Sequence, residues 1–303
     1  MELRIGRLDE APLEDWGNHV PSLLDLDRIG PDRFRSRYNQ PNFQNVLFGG
    51  QLLAQAVAAA GRTDPAGQLH SMHAYFLRGG VGEIAVDFEV DRLRDSAQSG
   101  SRRVIASQNG RPIFELTCLF RREAEGYFHQ AGAPRNIPQP DDLPSLLDIH
   151  RDEPGLLNEF GDFLLLGSPV DVRIFSRDHL RYMPGEARQS FWFRLASAAS
   201  IRDAHVHRCL LAYLSDYWFA RVMLVPHCAP APDRKLFFAS IDHTMWFYAD
   251  ARVDEWLLYE ADSPVASGGT GLAQGRIFDR TGRLIAITAQ EVIVRPRLQT
   301  VEP

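Results

Sequence analysis

The chain repeats itself, and this limits its fold more than any other feature. Leu52-Leu53-Ala54 sits in an apolar run from Phe48 to Ala60. Leu210-Leu211-Ala212 sits in a second apolar run that begins at Cys209 and reaches Phe219. Further on, Arg111-Pro112-Ile113-Phe114-Glu115-Leu116-Thr117 is answered by Arg283-Leu284-Ile285-Ala286-Ile287-Thr288. The offset is about 158 residues at the first pair and about 172 at the second, which is the size of one supersecondary unit copied in tandem. The second run has helical length and no polar face, which predicts a helix buried on all sides, and the first reads as an Ala-rich apolar helix that is also buried. A fully buried helix needs a sheet around it, and the strand patterns after each run supply one.

In the first copy the helix enters at Gly49-Gly50 and ends at Gly61. Strands are predicted at Arg33 to Tyr38, Leu69 to Leu77, Glu83 to Leu93, Ser101 to Gln108 and Pro112 to Arg121. Asn109-Gly110 between apolar runs is a strong hairpin signal. In the second copy strands are expected at 170–175 and 190–195, then the helix. Further strands follow at Phe237 to Phe247, Glu255 to Ala261, Gly269 to Phe278 and Leu284 to Val294, with a turn at Arg280 to Arg283. Between the copies lie Ile137-Pro138-Gln139-Pro140 and Asp141-Asp142-Leu143-Pro144, with a short helix expected over Leu143 to Arg151. The predicted organisation is an N-terminal repeat at 1–125, a Pro- and Asp-rich linker at 126–169 and a C-terminal repeat at 170–303.

A chain of 303 residues with formal net charge -6 lacks the basic excess of a nucleic-acid binder. Cys118, Cys209 and Cys228 are odd in number and widely spaced, with no Cys-x-x-Cys, so neither a disulfide framework nor a zinc site is indicated. We expect reduced thiols, no metal and a cytoplasmic setting. The N-terminal Met1-Glu2-Leu3-Arg4-Ile5-Gly6-Arg7 has no signal-peptide core. No apolar run reaches the roughly 18 residues that span a bilayer, so no membrane partner is expected. The C-terminal Val301-Glu302-Pro303 is not a peroxisomal tripeptide.

Within this frame Asp216 needs an explanation. From Cys209 to Phe219 only Ser215 and Asp216 are polar, and a carboxylate stripped of water costs several kcal/mol unless it is compensated. The repeat shows what the first copy carries instead: Asp216 falls opposite Ala58, and Gln290 opposite Cys118. Packing alone asks for neither polar group. A desolvated carboxylate has a pKa raised toward neutrality, which suits a general base. Gly49-Gly50 admits two readings, close helix–strand packing or N–H groups offered to an anion.

The residues carrying a family resemblance are Phe48-Gly49-Gly50-Gln51, Leu69-His70-Ser71-Met72-His73-Ala74-Tyr75-Phe76-Leu77-Arg78, Leu211-Ala212-Tyr213-Leu214-Ser215-Asp216, Ile241-Asp242-His243-Thr244-Met245-Trp246-Phe247 and Glu255-Trp256-Leu257-Leu258-Tyr259. With Arg102-Arg103-Val104 and Gln108-Asn109-Gly110, they resemble the acyl-CoA thioesterase II, or TesB-like, family from about residue 45 to 295. The resemblance implies an α+β double hotdog, two tandem copies of a long helix wrapped by an antiparallel β-sheet. It also implies hydrolysis of acyl-CoA without a cofactor, and a homo-oligomer. Its catalytic set maps onto Asp216, Ser240 and Gln290, which together hold a water. Many bacterial members carry Thr at the second place, and Ser there resembles the peroxisomal members. Gly49 and Gly50 are candidate substrate contacts and oxyanion donors, and Arg102, Arg103 and Arg78 are candidates for the CoA phosphates. Where the family often reads Arg-Asp-Gly-Arg-Ser-Phe, this chain has Arg94-Asp95-Ser96-Ala97-Gln98-Ser99-Gly100-Ser101.

The rival readings are a hotdog hydratase, which would need a His near the helix carboxylate, and a non-catalytic acyl-CoA binder. A Ser240 triad with Asp242-His243 is disfavoured, because neighbours on a strand point to opposite faces. Leu214, Phe219 and Trp246 could line an acyl channel or pack the core.

Overall fold

A computed structural model describes residues 6–7, 16–42, 46–153, 156, 170–179, 183, 185–227 and 236–296. Cys228, the C-terminal tripeptide and the later part of the linker lie outside these residues. In the first half the strands are β1 (Gly6–Arg7), β2 (Leu26–Gly30), β3 (Arg33–Ser36) and β4 (Tyr38–Asn39). Helix α1 (Gly49–Gly61) precedes β5 (Gln68–Phe76), β6 (Asp87–Asp95), β7 (Ser99–Gln108) and β8 (Arg111–Arg121). The second half has α2 (Leu146–Asp152), β9 (Asp171–Ile174), β10 (Arg188–Arg194) and helix α3 (Ala204–Ser215). Five strands follow: β11 (Leu236–Ser240), β12 (Asp242–Phe247), β13 (Leu257–Ser267), β14 (Thr270–Asp279) and β15 (Leu284–Pro296).

One large antiparallel sheet runs β2-β3-β6-β7-β8-β5-β12-β15-β14-β13-β10-β9, with β11 also paired to β15. Read outward from the β5–β12 seam, the two halves have the same order: β5, β8, β7, β6, β3, β2 against β12, β15, β14, β13, β10, β9. The seam pairs His73 with Thr244, and these are themselves repeat equivalents. The molecule is therefore a double hotdog whose pseudo-twofold passes through that pair. The hairpin at Asn109-Gly110 has positive φ at both residues (51° and 73°), as a tight two-residue turn matched to strand twist requires.

All of α1 except Gly49 is buried. Its two buried amides are satisfied: Gln51 donates to Asn39 and Gln55, and Gln55 donates to the Leu23 and Tyr38 carbonyls. The two helices lie antiparallel. A Cβ on Gly50 would fall 2.4 Å from the Tyr213 carbonyl oxygen near the end of α3, and one on Gly61 would fall 2.1 Å from His205 at its start. No side chain fits at Gly50, so close packing is one purpose of the Gly-Gly entry. Residues 122–139 form no helix or strand, and Ala133, Ile137 and Leu143 pack on Trp192, Trp256 and Phe278 of the second half. Trp192 Nε1 donates to the Pro138 carbonyl there. The expected short helix is α2, closed by a capping box between Ser145 and Asp148.

Two expectations need correction. Helix α3 ends at Ser215, so Asp216 is not inside the helix but caps its C-terminus. Trp218 then takes a left-handed conformation, φ 72°, which breaks the run before a 3-10 turn over Phe219–Leu224. The strand expected over Phe237 to Phe247 is two strands. Ser240 pairs with Val292, whereas Thr244 pairs with Ala289, so four steps on one strand answer three on the other. The extra residue is a bulge at Ile241, and it reverses which side chains face inward.

Candidate active site

Asp216 lies where three elements meet. It caps α3, it faces the N-terminus of α1, and it touches β15. The Gly50 N–H donates to its carboxylate, and Gln290 Nε2 donates to Asp216 Oδ1 at 2.9 Å. A Cβ on Gly49 would sit 2.6 Å from Asp216 Oδ2, so glycine is what lets the carboxylate approach this helix end. Burial pushes the Asp216 pKa up to about 7, and the Gln290 and Gly50 hydrogen bonds only partly offset it.

Ser240 enters from β11. Gln290 Nε2 also donates to Ser240 Oγ, at 2.5 Å. The bulge makes this contact possible. Inward positions on β15 are even-numbered, including Gln290 and Val292. Ser240 lies opposite Val292, yet after the extra residue it is His243, Met245 and Phe247 that turn inward. Ser240 and His243 thus share the interior face, against simple alternation. Asp216, Ser240 and Gln290 are brought together, with Gln290 fully buried behind the other two.

Sequence reasoning missed what stands behind Gln290. His243, fully buried, places Nδ1 2.9 Å from Gln290 Oε1 and Nε2 2.9 Å from Ser215 Oγ. Burial lowers its pKa to about 4, so it is neutral. Both ring nitrogens are engaged away from Ser240, and Asp242 accepts the Glu291 N–H instead. No Ser240–His243–Asp242 triad is formed. The repeat held a signal for this pair: His243 and Gln290 stand where the first half places Met72 opposite Cys118.

Two of the three side chains, Asp216 and Ser240, border a cavity of about 380 Å³, with Gln290 bonded to both from behind. Asp216 and Ser240 line it, together with Gly49 and apolar side chains that include Leu52, Phe76, Trp218 and Phe238. Leu214, Phe219 and Trp246 do not line it. Leu214 is buried, Phe219 stacks on Tyr259 with ring centroids 4.9 Å apart, and Trp246 packs edge-on to His73. Arg78 is exposed at the cavity and donates to the Pro112 carbonyl.

The other basic candidates are elsewhere. Arg102 is 1% exposed and donates to Thr63, Asp95 and the Arg94 and Ser101 carbonyls. It lies past the far end of α1, about 18 Å along the helix from Gly49. Its guanidinium is a structural clamp, not a phosphate contact. Arg103 points to the outer face and pairs with Glu115 at 2.7 Å. The departing loop sequence belongs to this clamp: Asp95 holds Arg102, and Ser96 and Ser99 close a tight turn. His207, the helix histidine a hydratase reading would look to, is held by Val253 N and the Ile201 carbonyl. Among the described residues no helix is long and apolar enough to cross a membrane.

Comparison with known proteins agrees with this architecture. Residues 39–121 match the family model for the acyl-CoA thioesterase N-terminal domain, and residues 140–294 match that for the C-terminal domain. Acyl-coenzyme A thioesterase 8 of Mus musculus is 34% identical over 293 residues, covering 93% of this chain and 91% of its own. The crystal structure of an acyl-CoA thioesterase II, TesB2, from Mycobacterium marinum superposes with a TM-score of 0.74 at 37% identity, covering 91% of this chain and 97% of its own. A hot dog fold protein of Alicyclobacillus acidocaldarius gives a TM-score of 0.72 at 18% identity over 91% of this chain and 98% of its own, a likeness of fold alone. The chain belongs to the acyl-CoA thioesterase family, of the TesB-like type, and is an acyl-CoA thioester hydrolase.

Proposed function

We propose that this member of the acyl-CoA thioesterase family hydrolyses its substrate by direct attack of a water held by Asp216, Ser240 and Gln290. The observation that carries the reading is that Asp216 and Ser240 meet at one largely apolar cavity, both bonded to Gln290 behind them, with Asp216 at a pKa of about 7. A base with that pKa accepts a proton readily at neutral pH yet is ionised often enough to work. Gln290 presents both amide hydrogens to Asp216 and Ser240. Ser240 Oγ therefore accepts from Gln290 and has its own hydrogen left to direct into the cavity. The water sits between the carboxylate and that hydroxyl and attacks the thioester carbon. Its proton passes to Asp216 and then to the departing CoA thiolate. The positive end of α1 faces the cavity at Gly49 and stabilises the oxyanion. The Gly50 N–H serves Asp216 instead of the substrate.

The apolar walls suit an acyl chain. Of the basic candidates, Arg78 at the mouth is the one placed to meet a CoA phosphate. Free thiol release from a panel of acyl-CoAs tests the proposal. Asp216→Asn should slow release by about 10²–10⁴-fold while acyl-CoA still binds. Release at the wild-type rate, or a stable acyl-Ser240 adduct in quenched samples, would reject water attack.

A further inference from the structure

The catalytic reading above leaves His243 and Ser215 unused, although both are buried within hydrogen-bond reach of the site. A buried imidazole and hydroxyl placed against a glutamine amide are costly ornaments if packing is all they do. We infer that His243 is a positioning residue: its Nδ1–H holds the Gln290 amide in the one orientation that turns both amide hydrogens toward Asp216 and Ser240. The inference rests on the proposed role of those three residues.

Donor accounting gives the direction of the whole line. While Asp216 is ionised, Gln290 Nε2 lies against Asp216 Oδ1, which can only accept, and Ser240 Oγ, so Oε1 faces His243. Oε1 can only accept, so His243 Nδ1 carries the hydrogen. In a neutral ring Nε2 is then an acceptor, and Ser215 O–H donates to it. That single hydrogen is shared with the Ala212 carbonyl, 2.8 Å from Ser215 Oγ. Polarity therefore runs one way, from Ser215 through His243 and Gln290 to Asp216 and Ser240.

The lock has a purpose that Asp216 cannot serve alone. While ionised, the carboxylate itself repels a flipped amide. Once it has taken the proton from water, it can donate to an amide oxygen, and the flip loses its penalty. His243 does not change charge over the range in which Asp216 titrates, so it keeps Gln290 aligned through both halves of the cycle. The groups facing Asp216 are few. Gly50 N–H comes from α1, Gln290 from β15, Tyr213 from α3 and Tyr259 from β13. Burial raises both phenols well above their usual range, so they stay neutral. Any movement of the acid limb of the rate profile thus reports on the Gln290–Asp216 hydrogen bond, which lowers the Asp216 pKa.

The test compares His243→Leu, which removes the donor, with His243→Asn, whose Nδ2 can replace Nδ1. The leucine variant should lose about 10- to 100-fold in kcat with KM nearly unchanged, as expected when a buried acceptor loses its donor. Its acid limb should move to higher pH. Asparagine should restore most of the rate and return the limb. A leucine variant with wild-type kcat and limb, or leucine and asparagine variants equally impaired with an unmoved limb, overturns the inference. If the leucine variant does not fold, 15N NMR of the wild-type histidines decides. The His243 signal, assigned by its loss in the asparagine variant, must be the Nδ1–H tautomer, and an Nε2–H tautomer overturns the inference. Asp216→Asn run alongside separates the two claims. If it is inactive while His243→Leu is unimpaired, only the positioning role fails; if it is fully active, the water mechanism fails.

Discussion

Asp216 sits between two helix ends of opposite sign. The C-terminus of α3 repels its charge and the N-terminus of α1 attracts it, and burial decides the balance in favour of the neutral form. This has a consequence for stability. The unfolded carboxyl titrates near pKa 3.9 and the folded one at about 7. Between those values the folded state holds the extra proton, so stability falls as pH rises and the loss is complete above pH 7. Asp216→Asn should therefore raise the unfolding free energy by about 1–3 kcal/mol at pH 8 and by roughly nothing at pH 4. Urea melts at the two values check this, and an equal gain at both would contradict it. The acid was legible in the sequence because nothing else polar surrounds it but Ser215. Gln290 showed through the repeat, standing opposite Cys118, and Ser240 through the family motif. His243 was hidden because a histidine among apolar residues looks like ordinary core. Arg102 and Arg103 misled for the opposite reason. They are adjacent on a strand whose side chains alternate inward and outward, so one phosphate could never have met both.

At the level of elements, the bulge at Ile241 positions the chemistry. Ser240 is an inward residue of β11 and His243 an inward residue of β12, and only an added residue between them allows both. Deleting Ile241 would restore an even ladder and turn Ser240 outward while His243 stays in place. The expected result is a folded protein, by circular dichroism, with kcat reduced about 100-fold or more. Unchanged turnover would show that Ser240 is not needed in the cavity. The strand pattern carried a trace of this break, since Ser240 and His243 are polar residues of opposite parity. The C-terminal limit of α3 was harder to read, because Tyr217, Trp218 and Phe219 continue the apolar pattern without a glycine or proline. The left-handed Trp218 that ends it is unfavourable for a bulky residue, and local sequence offers no warning.

Across the whole molecule, duplication has let one half specialise. The repeat places Ala58, Met72 and Cys118 where the second half has Asp216, His243 and Gln290. Yet the first half still builds the site, through Gly49 and Gly50 on α1 and Phe76 on β5. The outer face keeps Tyr75 and Tyr248 exposed at 57% and 55% beside the seam. Everything turns on whether Asp216, at the cavity wall and bonded to Gln290, is the group that takes the proton from water. The most direct measurement is kcat/KM for acyl-CoA hydrolysis from pH 5 to 9. The account predicts a rate that climbs with pH to a plateau, with its midpoint near 7, and Asp216→Asn slower by about 10²–10⁴-fold. A profile flat down to pH 5, or an asparagine variant within tenfold of wild type, would contradict it.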